Sequence, residues 1–232
     1  MKPLKLRTTR RGVRMMHARH VVSEALHRPG ATHSVFDVLA ALTVLLSPEP
    51  ELTLLGFAAG GMIAPLRALG HDHRVHGVDL DLQGARLFSR VASAWKGQVT
   101  VTRSDAVAFL HSLNRCSPCI VEDLSVQTPD GDVQKPGVSF GDLPALIESR
   151  LSDRGVAVFN LLPSSQRSWA AIERCVRAPF VEARRVDLAG YENRIVVAGR
   201  RLPSARVLVS QCNGLLSALG SRMTGTLKAK TL

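Results

Sequence analysis

The sequence predicts a doubly wound α/β domain whose mostly parallel sheet ends in an antiparallel pair of strands, and three observations carry that expectation. Apolar runs at Leu52–Leu55, Val75–Val78, Val99–Val101, Ile120–Val121 and Val156–Leu161 alternate with helical patterns at Met62–Leu69, Leu82–Trp95, Ala106–Leu113 and Leu143–Leu151. Runs that are apolar throughout suit strands buried on both faces, and a helix between successive strands supplies the crossover that parallel pairing needs. The two closing strands, Val181–Val186 and Arg194–Ala198, are joined only by Leu188–Asn193. That turn is too short for a helical crossover, so the two must run antiparallel.

The elements follow in order. Residues 1–33 form a basic segment in which Val13–Met16 and His20–Ala25 have the apolar content to pair as a short β-hairpin. Residues 34–199 form the α/β domain. It opens on a mostly buried helix from Ser34 to Leu46, which Ser47-Pro48-Glu49-Pro50 ends. A further helix over Ser165–Val176, with Ser164 or Ser165 as its cap, precedes the closing strands. Residues 200–232 read as a basic C-terminal tail.

Charge placement separates the ends from the middle. The 232 residues carry a net charge of +11. Residues 1–36 hold eight Lys or Arg against Glu24, and residues 200–232 hold six with no acid, so the remainder is nearly neutral. Basic ends on a neutral body read first as solvated termini and second as arms that contact nucleic acid or an anionic membrane. The longest apolar stretch, Val38 to Leu46, falls well short of the ~20 residues of a membrane helix. The N-terminus lacks the apolar core of a signal peptide, so a cytoplasmic protein with reduced cysteines is the expectation.

Four elements converge on the carboxyl edge of the predicted sheet, where open α/β sheets bind ligands. Gly56-Phe57-Ala58-Ala59-Gly60-Gly61 follows the first strand of the alternation and opens a helix, so small residues let the chain turn and present main-chain N–H groups. Asp79 ends the second strand about 20 residues further on, where a carboxylate accepts hydrogen bonds from ribose hydroxyls. Asp81 beside it suits a helix cap. Asp105 follows the third strand as a cap for Ala106–Leu113, and it can also accept from an adenine amino group. Glu122-Asp123 ends the fourth strand, ahead of a loop rich in turn formers, Thr128-Pro129-Asp130-Gly131-Asp132.

These residues resemble the spermidine synthase-like group of the class I S-adenosylmethionine-dependent methyltransferase superfamily, whose fold is Rossmann-like, and the likeness runs from about His33 to Gly199. The loop is similar to the family's G-x-G-x-G with Ala58 in place of the middle glycine. Gly155–Leu161 matches its fifth strand and Asn193–Ala198 its closing strand. The resemblance implies that Gly56, Gly60, Asp79, Asp105 and Ala106, with Phe57, Ala58, Leu80 and Asp123 beside them, form a pocket for S-adenosylmethionine or its decarboxylated form. It implies transfer of a methyl or aminopropyl group to a small-molecule acceptor, with Asp123 as the catalytic group that takes a proton from an attacking amine. The chain departs from the aminopropyltransferases in three ways. Val126 stands where they have a second Asp, their Tyr-His pair ahead of the first strand is not evident, and the N-terminal β region is abbreviated.

Two other readings stay open. A degenerate member of the fold would bind an adenosyl ligand, or keep only the pocket's shape, as a non-catalytic or scaffold protein. Gly56–Gly61 also fits G-x-A-x-x-G, a relaxed dinucleotide fingerprint, against which the antiparallel close and Asp105 both argue. A homodimer is open as well. Cys116-Ser117-Pro118-Cys119 lacks a second ligand pair for zinc, and His71–His76 precedes a strand on the opposite edge, so neither is read as a metal site. Trp95 and Trp169 read as packing residues.

Overall fold

The computed structural model describes residues 5–17, 20–128 and 132–232 of the chain. The chain runs β1 (Lys5–Thr8), β2 (Gly12–His17), β3 (His20–Leu26), α1 (Val35–Leu46), β4 (Glu51–Leu55), α2 (Ile63–Ala68), β5 (Arg74–Asp79), α3 (Gln83–Val91), β6 (Val99–Arg103) and α4 (Ala106–Ser112). It continues through β7 (Ser117–Glu122), β8 (Val126–Gln127), β9 (Val133–Gln134), α5 (Leu143–Ser149), β10 (Leu151–Leu161), α6 (Trp169–Arg177), β11 (Glu182–Leu188), β12 (Arg194–Gly199), α7 (Ala205–Ala218) and β13 (Leu227–Thr231).

Eight strands form the main sheet in the order β13-β11-β12-β10-β7-β4-β5-β6. From β10 to β6 every pairing is parallel, and β12 lies antiparallel between β10 and β11. Both faces are covered, and the strand period explains how. Cys119, Val121, Val156, Val158, Ile195 and Val197 pack into one layer with α1, α2, α3 and α7. Their alternating neighbours Ile120, Ala157, Phe159, Val196 and Ala198 pack into the other with α4, α5 and α6. Successive side chains point to opposite faces, so a strand apolar at every position feeds two cores.

One of two expected caps differs from the sequence reading. Ser168, not Ser164 or Ser165, accepts the Ala171 N–H at 3.3 Å, and the helix it caps begins at Trp169. Asp81 does cap: its Oδ1 accepts the Gln83 N–H at 2.8 Å.

The two ends are built into the structure. β2 and β3 pair antiparallel, β1 adds an outer strand, and this small sheet leans on the glycine loop through Ser23 Oγ, which accepts the Ala59 N–H at 3.2 Å. Residues 200–232 are not a tail. Their apolar residues Leu208, Cys212, Leu216, Met223 and Leu227 are buried in the α1 core layer, and β13 pairs with β11 along Arg184–Leu188. The reading as a tail followed charge, but the apolar residues at helical and strand spacing decide where the segment goes. No helix among the described residues is long and apolar enough to cross a membrane.

Candidate functional site

A cleft of about 630 Å³ opens along the carboxyl ends of β4, β5, β6 and β7, and the small N-terminal sheet and the segment after β7 wall its far side. Gly56, Ala58, Asp79, Leu80, Asp105, Ala106 and Asp123 all line it. Phe57 and Gly60 do not. Phe57 is buried, its ring edge-on to Phe88 with centroids 5.3 Å apart and lying where a side chain on Gly77 would go. Gly60 turns with φ +66° beneath those two rings, so both residues shape the loop from below.

The chain leaves β4 at Gly56 with φ +87°, and a Cβ there would stand 2.5 Å from the Asp123 carbonyl oxygen. Only glycine lets the two strand ends approach this closely. Ala58, with φ 45°, is also left-handed, a conformation that costs a non-glycine residue about 1 kcal/mol. Asp79 holds it there: its Oδ2 accepts the Ala58 N–H at 2.7 Å while Oδ1 accepts the Asp81 N–H at 3.2 Å. Each carboxylate oxygen keeps a second lone pair for the cleft. Leu80, 64% exposed, stands beside it as an apolar rim that a flat ring can cover.

Helix α3 packs on the same loop through Gly84, where a Cβ would lie 2.1 Å from the Ala58 carbonyl oxygen. Gly84→Ala must push the loop off the helix. We expect this variant to lose about 1–3 kcal/mol of stability in urea unfolding and most of any ligand affinity in the cleft.

Asp105 caps α4 with Oδ1, which accepts the Val107 and Ala108 N–H groups at 2.9 and 3.1 Å, and leaves Oδ2 to the cleft. Asp123 sits on the cleft's opposite side. Its Oδ1 accepts from Asn160 Nδ2 at 2.7 Å, and Asn160 Oδ1 in turn accepts from Asn193 Nδ2 at 2.9 Å. The two amides fix the carboxyl's orientation and leave Oδ2 free of them. Burial pushes the Asp123 carboxyl up from its ordinary 3.8 to about 6, against the opposing pull of Lys135 and the Asn160 hydrogen bond, with Glu122 and Asp79 adding to the rise.

The sign of that shift gives a test. A carboxyl whose pKa is higher folded than unfolded binds its proton more tightly in the native state, so stability falls as pH rises between about 4 and 6. Asp123→Asn removes the cost of the buried charge and keeps an oxygen for Asn160. The variant should be more stable than the parent above about pH 7 by on the order of 1–2 kcal/mol, and no more stable at about pH 4. Urea titrations at the two pH values measure the difference.

Sequence reasoning missed the cleft's outer wall. Met15 and Val22 from the N-terminal sheet line it, as do Leu124, Val126, Val133, Pro136 and Val138 from the segment after β7. A buried ion pair holds that segment: Lys135 Nζ lies 2.7 Å from Glu122 Oε1, which also accepts the Ser139 hydroxyl at 2.9 Å. Buried His17 Nδ1 and Gln127 Nε2, 2.6 Å apart, tie β2 to β8. The turn joining β8 and β9 closes with Thr128 N–H to the Asp132 carbonyl at 3.0 Å, and its Pro129-Asp130-Gly131 lies outside the described residues. Asn160 did carry a signal, as the lone polar residue in the apolar run Val156–Leu161. Lys135 and His17 carried none, because neither marks a strand end, a helix start or a turn that a local pattern picks out.

No family model matches the sequence, and no curated protein matches it. Solved structures do match. Human methyltransferase-like protein 13, in complex with SAH, superposes with a TM-score of 0.59 at 19% identity, covering 82% of this chain and 92% of its own. Spermidine synthase from Thermotoga maritima gives a TM-score of 0.63 at 10% identity over 94% of this chain and 83% of its own. A spermidine synthase in complex with the transition state analogue AdoDATO gives 0.61 at 12% identity over 93% and 87%.

Proposed function

We propose that this chain, which has the fold shared by S-adenosylmethionine-dependent methyltransferases and spermidine synthases, binds S-adenosylmethionine or its decarboxylated form in the cleft and transfers an alkyl group to a small acceptor at Asp123. One observation carries the reading: the glycine turn, the Asp79 carboxylate, the free oxygen of Asp105 and the Asp123 carboxyl face one cleft from four successive strand ends. Asp79 would hold the ribose hydroxyls, Leu80 and Ala106 the faces of the adenine, and Asp105 Oδ2 its amino group. The Gly56 turn lets the ligand approach main-chain atoms without a side chain between.

A bound sulfonium supplies an electrophilic carbon and a neutral thioether as leaving group. The protein's own part is to position the acceptor against that carbon and to receive its proton. Asp123 Oδ2 is the receiving atom, and a carboxyl raised to about 6 is ionised near neutral pH yet more basic than an ordinary aspartate. Turnover should therefore fall as pH drops below about 6. Calorimetry with S-adenosylmethionine, its decarboxylated form and methylthioadenosine tests the binding, and failure of all three to bind removes the reading.

A non-catalytic adenosyl-binding protein is the second reading, and Val126 favours it by leaving Asp123 as the lone acid among the described residues at the acceptor end of the cleft. Asp123→Asn separates the two. A transferase loses turnover while keeping cofactor affinity, whereas a binding protein keeps whatever its function is.

A further inference from the structure

Building on the proposed transferase function, we infer that the acceptor is a small monoamine with an apolar body, its one ammonium placed at Asp123 and its hydrocarbon on the wall formed by the segment after β7. The wall is set beside Asp123 by the chain itself. Glu122 precedes Asp123, and its Oε1 is gripped by Lys135 Nζ and Ser139 Oγ and by the Leu124 N–H at 3.2 Å, so residues 124 and 135–139 are pinned around the carboxyl. The pairing of Val126 with Gln134 and of Gln127 with Val133 joins β8 to β9, and Val126, Gln127 and Val133 line the same cleft.

The cleft-lining residues of that segment are the apolar Leu124, Val126, Val133, Pro136 and Val138, with Val126 37% exposed, and the uncharged polar Ser125 and Gln127. Among the described residues, the other acids lining the cleft each bind backbone N–H groups, Asp79 in the glycine loop and Asp81 and Asp105 at the starts of α3 and α4. Glu122 is neutralised by Lys135, both side chains being essentially inaccessible. Among the described residues, charge complementarity therefore offers one site for one cation. A second ammonium a few ångströms along the ligand would lose its water against mainly apolar, uncharged side chains, with no carboxylate among the described residues there to meet it, which is unfavourable. A methyl group in the same place would instead gain from leaving water.

The contrast is testable with two ligands that differ at that end alone, n-pentylamine and putrescine. Calorimetry on the full chain begins with S-adenosylhomocysteine, and the amines follow on the loaded protein. We expect n-pentylamine to bind at least about 30-fold more tightly than putrescine, and Val126→Asp, which puts a carboxylate on the wall, to reverse that order. Failure of S-adenosylhomocysteine, S-adenosylmethionine, its decarboxylated form and methylthioadenosine alike to bind would overturn the transferase reading and this inference together; if S-adenosylhomocysteine alone fails, methylthioadenosine loads the site for the same amine comparison. Binding of S-adenosylhomocysteine followed by equal or tighter putrescine binding, by no amine binding, or by an unreversed preference in the Val126→Asp chain overturns the inference alone.

Discussion

Asp79→Ala is expected to weaken binding of S-adenosylmethionine by at least about 100-fold, since hydrogen bonds from two ribose hydroxyls to a charged acceptor are each worth roughly 1.5–3 kcal/mol. A second effect acts in the same direction. Asp79 Oδ2 is the partner of the Ala58 N–H, so its removal leaves a left-handed alanine without the bond that holds it. The glycine loop should loosen as well as lose its ribose ligand. Asp79→Asn apportions the two, because the amide oxygen can still take one N–H while the charge is gone. We expect it to recover most of the loop's stability and little of the affinity. Undiminished binding by the Asp79→Ala chain would show that the ribose lies elsewhere and would remove the adenosyl reading of this cleft.

The residues that were legible in the sequence share a property: each sits at a local landmark, a strand end, a helix start or a glycine turn, whatever the distance to its partner. Asp105 caps a helix two and three residues ahead, Asp79 closes a strand that ends in a turn, and Gly56 turns where its own φ demands it. Alternation of apolar runs with helical patterns exposed the parallel sheet for the same reason. Asp123 was legible as a strand-end acid, but the amides that orient it lie 37 and 70 residues away. The outer wall was illegible. Met15 and Val133 carry no local sign of lining a cleft, Val126 was marked only through the resemblance, and Lys135 looks like any lysine until its buried partner Glu122 is seen.

The C-terminal segment shows how composition can mislead, and it yields a prediction with a large effect. Arg200, Arg201, Arg206, Arg222, Lys228 and Lys230 give residues 200–232 their charge, yet five apolar side chains of the segment are buried in the main core. Burying each contributes roughly 1.5–3 kcal/mol, so the set contributes on the order of 10 kcal/mol. That is comparable to the whole stability of a domain, about 5–15 kcal/mol. Polar contacts add to the loss. Buried Asp37 of α1 takes the Thr32 N–H at 2.7 Å, the Thr32 hydroxyl at 2.6 Å, the His33 N–H at 2.9 Å and the Ser221 hydroxyl at 2.5 Å. Removal of the segment exposes that carboxylate, the α1 face under α7 and the unpaired edge of β11. A chain ending at residue 203 should therefore fail to fold, giving insoluble protein or no cooperative transition on heating. Ser221→Ala provides the graded control: three donors remain on Asp37, and the loss should be about 1–3 kcal/mol with binding intact. A truncated chain that stays soluble, melts cooperatively and retains adenosyl binding would show that α7 and β13 are dispensable and that the α1 layer is closed without them.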